Sequence, residues 1–173
     1  MMTEKEGIKM GKYYFAYGSN LDKRAMRFRC VSARPVGRGV LEGYKLVFRG
    51  GAYGYLTVEP CEGSSVPIGV WEIDELDEHN LDLYEGYPEF YRKEIVKIPV
   101  TRFKSTNSSV TEEIEGMIYL MNDGYKFARP TRDYVRTCMN GYADFSLDTD
   151  YLDKAIEEVK KETKDMPQRR FWV

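Results

Sequence analysis

Between Val36 and Met121 the sequence reads as one β-type run after another, with a single helix-like stretch among them, and few folds accommodate that order. Val40-Leu41, Tyr44 to Phe48 and Tyr55 to Val58 carry strand-forming residues, broken by Gly43 and by Gly50-Gly51. The segment Gly50-Gly51-Ala52-Tyr53-Gly54 reads as a hairpin or a close backbone approach, since it lacks the Lys-Ser/Thr ending of a phosphate loop. Cys61 to Ser65 reads as a loop and Pro67 to Ile73 as another strand. Asp74 then caps an acidic helix, Glu75 to Glu85, which Gly86 and Pro88 terminate. Phe90 to Val100 alternates and Ile114 to Met121 is again strand-like; the polar stretch Ser105 to Thr111 between them makes the pair a hairpin with a long tip.

The two ends differ from this middle. Tyr13 to Tyr17 is a short aromatic strand running into Gly18-Ser19-Asn20, where Ser19 or Asn20 is placed to cap a helix from Leu21 to about Cys30. The last third is helical: Thr131 to Tyr142 spaces Tyr134, Val135, Cys138 and Met139 on one face. A second helix, capped by Asp148 or Asp150, presents Leu152, Ala155, Ile156 and Val159, and its charge run Glu157 to Lys164 is a solvated face. Strand, helix, several strands with one inserted helix, then helices is an α+β order with a mainly antiparallel sheet. Periodicity alone leaves open whether that sheet closes. The expected organisation is an extended or disordered segment over 1–12, one domain over 13–164, and a tail over 165–173 in which Phe171 and Trp172 dock back.

Composition removes several function classes. A net charge of −2 provides no field for nucleic acid or anionic lipid. The single histidine, His79, lies in the acidic helix, so neither a His-based triad nor a zinc site is expected. Arg169-Arg170 beside Phe171-Trp172 is too small a basic cluster to indicate RNA. Cys30, Cys61 and Cys138 are odd in number and far apart, which fits reduced thiols in a cytoplasmic protein. No apolar run reaches the roughly 20 residues of a membrane span, and residues 1–10 do not resemble a secretion signal. Fourteen tyrosines and eight phenylalanines favour strands and an aromatic pocket wall.

Two places could carry chemistry. In Tyr14 to Leu21 (YFAYGSNL), a strand-to-helix turn presents unpaired backbone N–H groups, and Gly18 lets a ligand approach the main chain. The same residues also make an ordinary helix cap. In Leu83 to Tyr91 (LYEGYPEFY), Glu85 ends a helix whose dipole disfavours a carboxylate there, and Tyr84, Tyr87, Phe90 and Tyr91 flank it. If those rings enclose it, desolvation raises its pKa and suits it to proton transfer near neutrality. Against this, Glu75, Asp77, Glu78 and Asp82 make the whole helix acidic, so Glu85 also reads as one more solvated acid.

Taken together, YFAYGSNL, Gly50-Gly51, Gly69-Val70-Trp71, Leu81-Asp82-Leu83-Tyr84-Glu85-Gly86, Tyr119-Leu120-Met121, Pro130 and Tyr134 resemble, in order, the blocks of the γ-glutamylcyclotransferase-like (AIG2-like) family. The resemblance spans Tyr13 to about Ile156. It implies a small, mixed, mainly antiparallel closed β-barrel of about six strands with peripheral helices. It implies an enzyme that converts a γ-glutamyl amino acid or γ-glutamyl amine to 5-oxoproline plus the free amine, with no cofactor and no metal. Glu85 would be the catalytic acid/base. Tyr17, Gly18, Ser19, Asn20 and Leu21 would form the substrate-binding loop, and Tyr91 and Tyr134 would line the pocket, with Tyr87 a rival to Tyr91. The implied partner is a small γ-glutamyl substrate, with neither nucleic acid nor membrane; the oligomeric state is open, a homodimer included. A barrel of the same family that binds a small ligand without turning it over is the alternative.

Overall fold

The computed structural model describes residues 11–103, 111–170 and 172–173. Most of the expected 1–12 segment and 105–111 tip, and Phe171, lie outside the described residues. The strands are β1 (Lys12–Ala16), β2 (Arg34–Gly50), β3 (Gly54–Ile73), β4 (Tyr91–Arg102), β5 (Glu112–Met121) and β6 (Lys126–Phe127). The helices are α1 (Lys23–Arg29), α2 (Glu75–Glu85), α3 (Arg132–Asp144) and α4 (Asp150–Glu162). Five strands run in the order β3-β1-β5-β4-β2, and β2 returns to β3 to close a barrel; β6 is appended to β2 at Arg49↔Phe127. All ladders are antiparallel except β1–β5, which meet in parallel at Tyr14↔Met117. The closed mixed barrel implied by the resemblance is therefore present, with five strands in the ring.

Buried aromatic and branched side chains hold it together. Phe15, Phe48, Ile68, Val70, Val100 and Ile118 belong to one continuous core and are almost wholly withdrawn from solvent. Each such side chain contributes on the order of 1.5–3 kcal/mol on burial.

Two local expectations are corrected. Gly43 and Cys61 to Ser65 do not separate short strands, because β2 and β3 run through them. The register steps from Glu42↔Ser65 to Tyr44↔Pro60, so 61–64 bulge out opposite Gly43, whose φ of +78° suits glycine. Nor do Ser19 and Asn20 cap the first helix. They belong to a 3-10 turn, Ser19–Leu21, and Asp22 caps α1 by accepting the Ala25 N–H at 2.9 Å.

Elsewhere local chemistry decides the boundaries. Asp74 and Asp77 form a reciprocal capping box at the start of α2, and Gly86 ends it in the left-handed region at φ +65°. Leu152, Ala155 and Val159 are the buried stripe of α4; Thr149 occupies its cap position, while Asp148 accepts the Asp150 N–H. Near the C-terminus Trp172 is buried and bridges to Thr131. No helix among the described residues is long and apolar enough to cross a membrane.

Candidate active site

The turn after β1 is fixed from beneath. Leu21 is fully buried, and a Cβ built on Gly69 or Gly141 would come within 2.4 Å of its side chain. Glycine at these two positions lets β3 and α3 close on Leu21, which pins Gly18 to Asn20 at the barrel mouth. Trp71 adds a 2.9 Å hydrogen bond from its Nε1 to the Asn20 carbonyl. The N–H groups of Ser19 and Asn20 precede Leu21, the first bonded donor of the turn, so they have no partner within it. From the other side, the capped α2 delivers Glu85 as its last residue.

The two segments meet through Asn20. Its Nδ2 donates to Glu85 Oε1 at 2.8 Å and to the Tyr14 hydroxyl at 3.0 Å. Its Oδ1 accepts from Arg29 Nη1 at 2.6 Å. A guanidinium can only donate, so Arg29 fixes which way the Asn20 amide faces, and the amide N–H must then face the carboxylate. The same guanidinium lies 3.7 Å over the Tyr84 ring, whose hydroxyl is 3.2 Å from Ser19 Oγ.

Below Glu85 a small chamber of about 30 Å³ is walled by tyrosines 14, 17, 91, 119 and 134, with Gly18, Ser19, Asn20 and Leu56. That is room for roughly two water-sized groups. An outer cavity of about 280 Å³ shares Ser19, Glu85, Tyr91 and Tyr134 with it and adds Tyr55, Tyr84 and Phe90. The tyrosine hydroxyls are spoken for: Tyr17 donates to the Tyr119 carbonyl at 2.6 Å, and Tyr91 to the Leu56 carbonyl at 2.8 Å. Tyr134 accepts the Leu56 N–H at 3.1 Å, and Tyr119 donates to Asp82 at 2.6 Å.

Burial sets the electrostatics. It raises the Tyr14, Tyr17, Tyr91, Tyr119 and Tyr134 hydroxyls above the ordinary phenol range, so they are neutral at physiological pH. It also raises Glu85 to about 7, against the opposing pull of Arg29 and of the Asn20 hydrogen bond. Glu85 is thus poised to take and return a proton near neutrality. Among the described residues no group of three or more His, Cys, Asp or Glu is arranged to hold a metal ion.

Of the residues expected from the sequence, Tyr17, Gly18, Ser19, Asn20, Glu85, Tyr91 and Tyr134 surround this space. Leu21 does not line it but anchors the turn in the core. Tyr87 is not part of the wall: it is exposed and lies under the Lys93 ammonium, 4.4 Å from its ring centre. Sequence reasoning missed Tyr14, Leu56, Tyr55, Tyr119 and Arg29. Arg29 gave only the signal of a cation in a last helical turn, which reads as dipole compensation. A larger concavity, about 640 Å³, lies elsewhere, beside β1, β4 and β5. The cations of its wall are already paired, Lys12 and Lys93 with Glu78 and Arg102 with Glu112, so size alone does not mark a site.

The family model described as gamma-glutamyl cyclotransferase, AIG2-like, matches residues 14–139. A solved structure titled gamma-glutamyl cyclotransferase is similar at TM-score 0.69 and 24% identity, covering 90% of this chain and 99% of its own. The human protein loc79017, described as uncharacterized, is similar at TM-score 0.70 and 23% identity over 95% of this chain and 93% of its own. YkqA from Bacillus subtilis follows at 0.64 and 20%, over 93% of this chain and 57% of its own. These likenesses speak to the fold. Among curated proteins no relative matches the sequence.

Proposed function

The chain belongs to the gamma-glutamyl cyclotransferase, AIG2-like family, and from that premise we propose that it cyclises a γ-glutamyl amide to 5-oxoproline with Glu85 as general acid/base. The observation that carries this reading is the pairing of Asn20, from the YGSN turn, with a Glu85 brought to about 7 by burial at the mouth of a tyrosine-lined chamber.

The chemistry asks little more of a protein. A γ-glutamyl amide contains its own nucleophile, so the site has to fold the substrate into the closing geometry. The α-amine has a reference pKa of about 8 and is mostly protonated at neutral pH. Glu85 accepts a proton from it, and the freed nitrogen attacks the γ-carbonyl carbon. Glu85 then returns a proton to the amide nitrogen as the old C–N bond breaks. In total the α-ammonium loses two protons and the leaving amine gains both, departing as its ammonium ion. The developing oxyanion, or the substrate α-carboxylate, is served by the free N–H groups of Ser19 and Asn20. The inner chamber suits one such group, while the rest of the substrate occupies the outer cavity.

The test is mass-spectrometric analysis of purified protein incubated with γ-glutamyl amides. Equimolar 5-oxoproline and free amine are expected. Release of glutamate instead would mean hydrolysis, and no product from folded protein would leave a barrel that binds its ligand without turning it over.

A further inference from the structure

Asp82 precedes Glu85 by three residues on α2, so the two lie on neighbouring strips of the helix surface. Like Glu85, it is an acid in a last turn that holds no basic residue, where the helix dipole opposes it. The Tyr119 hydroxyl donates to its Oδ1 at 2.6 Å, and the Lys93 ammonium lies 3.0 Å from the carboxylate. Lys93 and Tyr119 stand opposite one another in the β4–β5 ladder, so Asp82 is fastened to two strands at one register position. Its backbone is engaged too: the Asp82 carbonyl accepts the Tyr87 N–H at 2.9 Å, which closes the stop at Gly86.

Lys93 alone would serve an exposed acid, and it already holds Glu78 at 2.7 Å. Tyr119 is a different kind of partner. It is almost wholly buried, it walls the inner chamber, and its ring stands edge-to-face on Tyr14 at 5.7 Å. The Tyr14 hydroxyl in turn accepts from Asn20 Nδ2, which also donates to Glu85. The contacts therefore form a closed circuit, from Glu85 through Asn20, Tyr14 and Tyr119 to Asp82 and back along α2. In it, Asn20 holds the Glu85 carboxyl and Tyr119 holds the helix that carries it.

We propose that Tyr119 and Asp82 are a positioning pair, which fixes the last turn of α2 so that Glu85 reaches the chamber and stays out of water. The catalytic consequence rests on the cyclisation reading above; the effect on Glu85 itself does not. Around Glu85 stand Arg29 from α1, Tyr14 and Tyr17 from the end of β1, and tyrosines 91, 119 and 134 from β4, β5 and α3. Its own helix adds Tyr84 and Asp82. Burial raises Glu85 against the pull of Arg29 and Asn20, so a carboxyl released toward water titrates lower.

Tyr119→Phe removes one hydroxyl and no charge; Asp82→Ala removes its acceptor. With γ-glutamyl-methylamine as substrate, each should move the acid limb of the pH–rate profile down by about one unit or more. On the plateau kcat should fall roughly 10- to 100-fold, the loss that a misplacement of about 1 Å brings, with KM changed less than about threefold. Asp82→Asn keeps the acceptor oxygen without the charge and should retain the wild-type limb and kcat. The double variant Tyr119→Phe/Asp82→Ala should be no worse than either single one, because both cut the same link. Losses that add would refute the pairing. An acid limb, and a carbon-13 NMR titration of the Glu85 carboxyl, that stay in place or move up in the single variants would overturn the proposal while leaving cyclisation intact. If wild type yields no 5-oxoproline, the cyclisation reading fails and the substrate-free titration still decides the pair. A lower midpoint in Tyr119→Phe, or in Asp82→Ala if that variant alone folds, supports it, and an unchanged one refutes it.

Discussion

Replacing Arg29 by Met should move the acid limb of the pH–rate profile upward without moving its plateau. Arg29 acts on Glu85 in two ways: its charge favours the ionised carboxyl, and its bond to Asn20 Oδ1 aims the Asn20 N–H at Glu85 Oε1. An opposite charge close to a carboxyl lowers its pKa by about one to three pH units. Arg29 is partly hydrated, so the low end applies: about one unit, or ~1.4 kcal/mol. Glu85 begins at about 7, so half is ionised at pH 7. A rise to about 8 leaves roughly a tenth ionised and lowers the rate at pH 7 about fivefold. Near pH 9 the two proteins should converge. In the inner chamber the ionisable groups around Glu85 are the tyrosines 14, 17, 91, 119 and 134, all raised by burial and neutral across this range. The assay is 5-oxoproline release between pH 5 and 9, paired with carbon-13 NMR titration of the Glu85 carboxyl without substrate. Arg29→Lys, which keeps the charge and loses the planar fork, should fall between wild type and Met. A limb that stays in place or moves to lower pH in Arg29→Met would refute the reasoning.

Three further perturbations follow from the same contacts. The folded-state pKa of Glu85 lies above its unfolded value of 4.5, so its ionisation opposes folding increasingly from about pH 4.5 to 7. Glu85→Gln should therefore stabilise the protein at pH 8 by on the order of 2 kcal/mol more than at pH 5, measured by urea denaturation at both pH values. In Gly141→Ala the new methyl would stand 2.4 Å from Leu21 Cβ and 2.6 Å from the Asp22 nitrogen. Backbone cannot give way as a side-chain tip does, so the expected loss is about 1–3 kcal/mol by the same assay, despite alanine's better helix propensity. Tyr134→Phe removes the acceptor of the Leu56 N–H; it should cost about 1–3 kcal/mol and accelerate exchange of that amide in hydrogen-exchange NMR.

Local chemistry was legible in the sequence, and long-range closure was not. Asp74 and Gly86 bound α2 as expected because a capping box and a left-handed glycine act within a few residues. The β4–β5 hairpin followed from alternation. The parallel contact of Tyr14 with Met117 that completes the barrel left no mark in any periodicity. The two-residue β6 is too short to have a pattern. Gly43 was misread as a break because a bulge and a turn ask for the same residue. At the site, the misfit of Glu85 with its helix dipole could be seen in advance, and so could the Gly18 approach. Arg29 could not, because what it does depends on which way the Asn20 amide faces. Tyr87 and Tyr91 could not be separated by composition: strand β4 begins at Tyr91 and turns that ring inward, while Tyr87 remains outside under Lys93.

The most direct measurement is 5-oxoproline formation from γ-glutamyl-methylamine at pH 8 by wild type and by Glu85→Gln, both confirmed folded. Glutamine preserves the acceptor for Asn20 and cannot carry the proton, so the account predicts product from wild type and at least ~100-fold less from the variant. Comparable turnover by Glu85→Gln would contradict the assignment of Glu85 as the acid/base.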